Sequence, residues 1–181
     1  MEKKKEKKIS KSISYWLRHS PEDIGITIED NGWTDVKVLI EKAKHKVEFT
    51  LDELKCVVDN SDKQRFSFSE DLTKIRANQG HSIDVKIEFE EVKPPRILYH
   101  GAPEKSVDAI MKSGLNKMKR HHVHLSPSVE VASQVGARRG KFVILEVEAM
   151  RLRADGHKIY ISQNGVYLVD EVPPGYIKLK R

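Results

Sequence analysis

Two adjacent prolines, Pro94 and Pro95, stand near the middle of this 181-residue chain, behind the polar run Glu90-Glu91-Val92-Lys93. Such a step fixes two φ angles and removes two backbone donors, so neither a helix nor an inner strand runs through it. The chain is therefore expected to fold as two pieces, residues 1–93 and 94–181, each at the small end of domain sizes. Charge divides there as well. Residues 1–90 hold 17 of the 33 Lys/Arg and 18 of the 27 Asp/Glu, so the net charge of +6 belongs to the second piece. That imbalance suits a domain that receives a polyanion, although a basic, merely solvated surface accounts for it equally well.

The first piece reads as short helices followed by a hairpin. Ile9, Ile13, Trp16 and Leu17 share one helical face, Arg18 and His19 fall off it, and Pro21 closes the segment. Met1 to Lys8 is a charge run expected to fray. Gly25-Ile26-Thr27-Ile28 predicts a short strand before the turn Asp30-Asn31-Gly32. Thr34 or Asp35 can cap a helix carrying Val36, Leu39, Ile40 and Ala43. Thr50-Leu51-Asp52-Glu53 is a capping box for the next, with Leu54, Val57 and Val58 inward. Phe66 and Phe68 alternate, a polar turn follows, and Ile75 resumes the pattern, as in a β-hairpin. Three helices and then a hairpin is the order of a winged helix. Ile83, Val85, Ile87 and Phe89 also alternate, so part of this stretch is expected to be a strand.

The second piece reads as strand-rich α/β. Strands are predicted at Ile97-Leu98-Tyr99, around Val123 and Leu125, and over Phe142 to Val147. A hairpin of Lys158 to Ile161 and Val166 to Val169 turns at Asn164-Gly165. One helix runs from Pro103 to Ser113 and stops at Gly114. Another is capped by Ser126 or Ser128 and reaches about Arg138. Cys56 is the one cysteine, so no intramolecular disulfide forms and a reducing, cytoplasmic setting is expected. No apolar run approaches the ~18 residues of a membrane span. The N-terminus has lysines without an apolar stretch behind them, so no secretory leader is expected.

Several polar residues are poorly explained by packing. Arg18 and His19 follow the apolar face of the first helix, Arg65 precedes the aromatic hairpin, and Arg138 sits at a helix end. Arginine grips phosphate with a planar, permanently charged fork of donors. Each also has a plainer reading: a solvated helix end, a surface residue, or a cation favoured near a helix C-terminus. His100-Gly101 and His124-Leu125-Ser126 place histidine beside strand-like apolar residues. His122 and His124 share a strand face and His121 does not. With no cysteine nearby and no carboxylate pattern to complete a tetrahedral set, no metal is expected.

Five segments in order resemble the RNA 2′-phosphotransferase family: Leu17-Arg18-His19-Ser20-Pro21, Arg76-Ala77-Asn78-Gln79-Gly80-His81-Ser82, Leu98-Tyr99-His100-Gly101, Val123-His124-Leu125-Ser126 and Gly165-Val166-Tyr167-Leu168. The likeness covers almost the whole chain. It implies an α+β protein of two lobes with a cleft between them: an N-terminal winged-helix lobe and a C-terminal NAD-binding lobe of ADP-ribosyltransferase type. It implies that an RNA 2′-phosphate attacks the nicotinamide ribose of NAD and expels nicotinamide. The ribose 2″-hydroxyl then attacks the phosphate, freeing 2′-OH RNA and ADP-ribose 1″,2″-cyclic phosphate. By the same resemblance Arg18, His19, Arg65 and Arg138 grip the phosphate, and His100, Gly101, Ala102, His124 and Ser126 hold NAD, with no metal. Ala102 departs from the threonine often found there. Val166 stands where protein-modifying relatives carry glutamate, which disfavours a protein acceptor. The partners implied are 2′-phosphorylated RNA and NAD, with no membrane and a monomer expected. Two alternatives remain open: an ADP-ribosyltransferase acting on nucleic-acid terminal phosphates, and a non-enzymatic winged-helix nucleic-acid binder.

Overall fold

The apolar spacing of the first helix decides where the chain starts to pack. In the computed structural model, which describes residues 1–61 and 64–180 and at Arg139 the backbone alone, α1 (Lys3–Arg18) buries Ile9, Ile13, Trp16 and Leu17 together. Fully burying a side chain of this kind contributes about 1.5–3 kcal/mol relative to exposure. The helix begins at Lys3, within the run 1–8 that the sequence expects to fray. The Lys5 ammonium pairs with Glu53 of α3 (Leu51–Asp59), which ties down the first turns. The Trp16 indole N–H donates to Asp23, and Lys46 donates to the same carboxylate. Together they hold the Asp23 carboxyl below the usual carboxylate range, Lys46 contributing most.

Around α1 the first unit, Met1–Glu88, adds β1 (Thr34–Asp35), α2 (Val36–Ala43), β2 (Phe66–Phe68) and β3 (Lys74–Ala77). Asp35 caps α2 by accepting from the Val38 N–H, and Thr50 and Glu53 close the capping box of α3 in both directions. The sheet order is β1-β3-β2, antiparallel throughout, with Thr34 opposite Ile75 and Phe66 opposite Ala77. Its buried face, with Phe66, Ile75 and Ala77, packs on α1 residues and on Leu39 and Leu54. Two strand expectations fail here. Gly25 to Ile28 form no strand: the Ile26 N–H turns back to the Pro21 carbonyl, and Ile24 and Ile26 are buried as anchors of a loop. Ile83 to Phe89 form none either, since this stretch returns along the first unit by isolated bonds, such as Lys86 N–H to the Asp30 carbonyl.

The second unit, Phe89–Arg181, starts before the prolines because β4 (Glu90–Glu91) already pairs with β9 (Tyr160–Ile161). The sequence places the division at 93/94. One sheet has the order β4-β9-β10-β7, with β7 (Val123–Leu125) and β10 (Tyr167–Val169). A second, β12-β8-β5, joins β12 (Ile177–Leu179), β8 (Phe142–Val147) and β5 (Leu98–Pro103), and β6 (Leu115–Asn116) pairs with β11 (Glu171–Val172). Helices α4 (Val107–Ser113), α5 (Val129–Gly136) and α6 (Ala149–Ala154) complete the unit. Ser128 caps α5, which ends at Gly136 and tightens into a 3₁₀ turn over Ala137–Arg139. Leu98, Leu125, Leu145, Leu152 and Val169 form the centre of its core. Both units together make a mixed α+β chain of several small sheets.

Candidate active site

In the first unit, three long-range hydrogen bonds bring the candidate phosphate residues together. The Arg18 carbonyl, at the end of α1, accepts from the Ser82 N–H at 2.9 Å, and His19 Nδ1 lies 2.9 Å from Ser82 Oγ. Arg18 Nη2 donates to the Arg65 carbonyl at 3.4 Å, and its guanidinium lies 5.8 Å from the centre of the Phe66 ring. All three, Arg18, His19 and Arg65, are half-buried.

The loop bearing Arg65 is itself pinned. Gln64 adopts φ +39°, an uncommon backbone for a residue with a side chain. Asn78, 4% exposed, holds it there. Its Nδ2 donates to the Gln64 carbonyl at 2.6 Å, its N–H to the Arg65 carbonyl at 2.9 Å, and its Oδ1 accepts from Ser67 Oγ at 2.8 Å. Asn78 and Ser82 are therefore positioning residues that the sequence reading did not single out. The signal was present, in that both lie in the Arg76–Ser82 segment that carries part of the family likeness.

In the second unit, a single antiparallel bridge, Tyr99 to Ser126, splices β5 to the end of β7. Its two bonds measure 2.9 and 2.8 Å. The splice brings His100, Gly101, His124 and Ser126 side by side, all half-buried. His100 Nδ1 lies 2.9 Å from the His124 carbonyl. A carbonyl only accepts, so Nδ1 is the donor in this pair.

Gly101 has a packing reason for being glycine. A Cβ there would lie 2.4 Å from the Ala132 carbonyl oxygen and 3.0 Å from Gly136, so α5 rests directly on β5. Ala102 is fully buried in the core, its methyl a packing group. Arg138 is exposed, in the turn that follows α5. Val166 precedes β10, its N–H bonded to Ser162 Oγ.

His122 meets the ring edges of Phe89 and Tyr160 at 5.6 and 6.0 Å, and burial pushes its pKa down. Among the described residues no group of His, Cys, Asp and Glu is arranged to hold a metal, and no helix is long and apolar enough to cross a membrane. A cavity of about 430 Å³ in the second unit lies away from His100, between Lys117, His157, Lys158 and Asp170. It carries both signs of charge.

The first unit thus sets Arg18 and His19, at the end of α1, beside Arg65, and the second sets His100 beside His124. The family model described as RNA 2′-phosphotransferase, Tpt1 / KptA family, matches residues 4–171. A probable RNA 2′-phosphotransferase of Trichormus variabilis is 52% identical over 180 residues, 99% of each chain. One from Flavobacterium johnsoniae is 51% identical over 96% of each chain, and one from Streptomyces coelicolor 44% identical over 98% of this chain and 97% of its own. This chain belongs to the RNA 2′-phosphotransferase family.

Proposed function

We propose that this chain is a transferase that removes a 2′-phosphate from RNA by passing it to NAD⁺ as a second substrate. The observation that carries the reading is the set of Arg18, His19 and Arg65, gathered by bonds from Ser82 and Asn78, in a chain of this family. In the first step a 2′-phosphate oxygen bonds to the nicotinamide ribose carbon, and the glycosidic electron pair leaves with nicotinamide. In the second, the ribose 2″-oxygen bonds to phosphorus, the RNA 2′-oxygen leaves and takes up a proton, and the cyclic phosphate departs with the ribose. Positioning is the main demand on the protein, and fixed guanidinium donors meet it without reorganising.

The NAD⁺ reading rests on donor chemistry. The His100 ring and the Ser126 hydroxyl are groups of the kind that bond a ribose hydroxyl, and Gly101 and His124 lie beside them. Arg138, exposed in the turn after α5, is a cation of the second unit. The helix–strand–helix–helix–strand–strand order of the first unit supports a winged-helix reading, and the NAD⁺ role supports an ADP-ribosyltransferase-like second unit. A reducing, cytoplasmic setting fits the lone cysteine, Cys56; a monomer is part of the same proposal.

The test is a 2′-phosphorylated oligoribonucleotide incubated with the protein, with and without NAD⁺. The expected result is loss of one phosphate with NAD⁺ alone, unchanged by chelator. Full activity without NAD⁺, or abolition by chelator, overturns the proposal.

A further inference from the structure

The first unit carries a cation that its described residues leave uncompensated. Arg76 sits on β3 opposite Ser67, and continuing the β1–β3 register by one residue puts Trp33 on its other side. Thr34, Ile75, Ala77 and Phe66 turn into the core, so Trp33, Arg76 and Ser67 form a row across the opposite face of the sheet. The Arg76 guanidinium lies over the Trp33 ring, 4.5 Å from its centre, within cation–π range.

Among the described residues no carboxylate pairs with Arg76. Its buried Nε has no hydrogen-bond partner, and burial lowers its pKa. Three residues on, Gln79 also buries its Oε1 without a partner. A buried polar group left unsatisfied costs stability, so the Arg76 Nε on the sheet face and the Gln79 Oε1 just past the end of β3 are poor structure unless something binds there. Ser67, the neighbour of Arg76, lies two residues from Arg65, about 6.8 Å along a strand. That is comparable with the step between neighbouring phosphates of an extended nucleic-acid strand.

We propose that the Trp33–Arg76 row is an RNA-backbone subsite in which Arg76 grips the phosphodiester next to the nucleotide that bears the 2′-phosphate. It rests on the function proposed above and extends it from the reacting phosphate to the strand around it. The guanidinium over Trp33 makes bidentate contact with two phosphate oxygens. The subsite is blind to sequence, since a phosphodiester carries none. Arg76 is a binding residue and takes no part in the chemistry.

Two measurements on the full chain test it. The first is binding of a 2′-phosphorylated single-stranded oligoribonucleotide, followed by fluorescence anisotropy without NAD⁺ across a salt series. R76A should weaken binding about tenfold and flatten the slope of log K against log salt by about one. R76K should recover the slope but only part of the affinity, because lysine keeps the charge and loses the fork. The second is turnover. R76A should raise KM for the oligoribonucleotide with kcat little changed. It should leave unchanged the turnover of a substrate whose neighbouring phosphodiesters are replaced by uncharged methylphosphonates.

Unchanged RNA affinity in R76A, or equal loss on both substrates, overturns the assignment and makes the row structural. Sensitivity of W33A but not R76A makes it a base-stacking platform instead. Failure of the unsubstituted protein to turn over either substrate would count against the phosphotransferase reading, whereas the binding arm reports on Arg76 by itself.

Discussion

Replacing Gly101 with alanine separates two reasons for a glycine beside His100: contact with NAD⁺ and contact with the protein's own helix. The added Cβ would lie 2.4 Å from the Ala132 carbonyl oxygen and 3.0 Å from both Cα and N of Gly136. All three are backbone atoms of α5, so no side chain can swing aside. The helix must lift by about 1 Å or β5 must bend. Overpacking of a tight contact typically costs about 1–3 kcal/mol, and a clash with backbone on both sides belongs at the upper end. A domain of this size shifts its melting point by about 4–8 °C per kcal/mol, so the second unit should melt on the order of 10–20 °C lower. Gly140→Ala is the control. Its Cβ meets nothing within 4 Å, but its φ of +89° leaves a backbone penalty of roughly 1–2 kcal/mol. Circular-dichroism melts of both variants, with NAD⁺ affinity measured by calorimetry below the transition, give the comparison. If Gly101→Ala melts within two degrees of the unsubstituted protein, the packing argument fails. Should it also lose NAD⁺ affinity, the glycine serves the ligand.

Two further predictions concern charge. Asp71 accepts from Ser69, from the Thr73 N–H and from the Thr73 hydroxyl in the β2–β3 turn, Ser69 contributing most, which lowers its pKa to about 2. A carboxyl depressed in the folded state contributes stability above its unfolded pKa and loses it as pH falls through the folded one. The urea-midpoint difference between Asp71→Ala and the unsubstituted protein should therefore be full at pH 7 and shrink from about pH 4 to about pH 2, and a difference that grows on acidification refutes it. Arg138→Ala should slow the second step by about 10²–10³, because charge builds on the phosphoryl oxygens when the ribose hydroxyl attacks and a fixed guanidinium stabilises it there. ADP-ribosylated 2′-phospho-RNA should then accumulate on rapid-quench gels, and its absence at every time would make Arg138 a general phosphate anchor.

What could be read from the sequence was what is local in it. The capping box from Thr50 to Glu53 spans four residues, and the buried face of α1 repeats within about two turns, so both are visible without knowing the fold. The two-residue strands β1, β6 and β11 are not, because so short a strand is defined by its partner, and β1 finds its own some forty residues away. The alternation of Ile83, Val85 and Ile87 misled for the complementary reason. The period of a strand was present, but no neighbouring strand was available to complete a ladder.

The candidate site divides along the same line. Arg18 and His19 are adjacent in sequence and stay adjacent. What holds them is not adjacent: Ser82 reaches His19 across 63 positions and Asn78 reaches Gln64 across 14. Residue types announced which groups could grip a phosphate, whereas the bonds that aim them depend on loops meeting in space. Gly101 shows how far that distinction carries. The family likeness assigns it to NAD, and the structure shows a packing reason, since the absent methyl lets α5 rest on β5 and so sets where Arg138 emerges. If the binding role implied by the family likeness holds as well, loss of function in a Gly101 variant alone cannot say which demand failed. Stability and affinity have to be measured on the same variant.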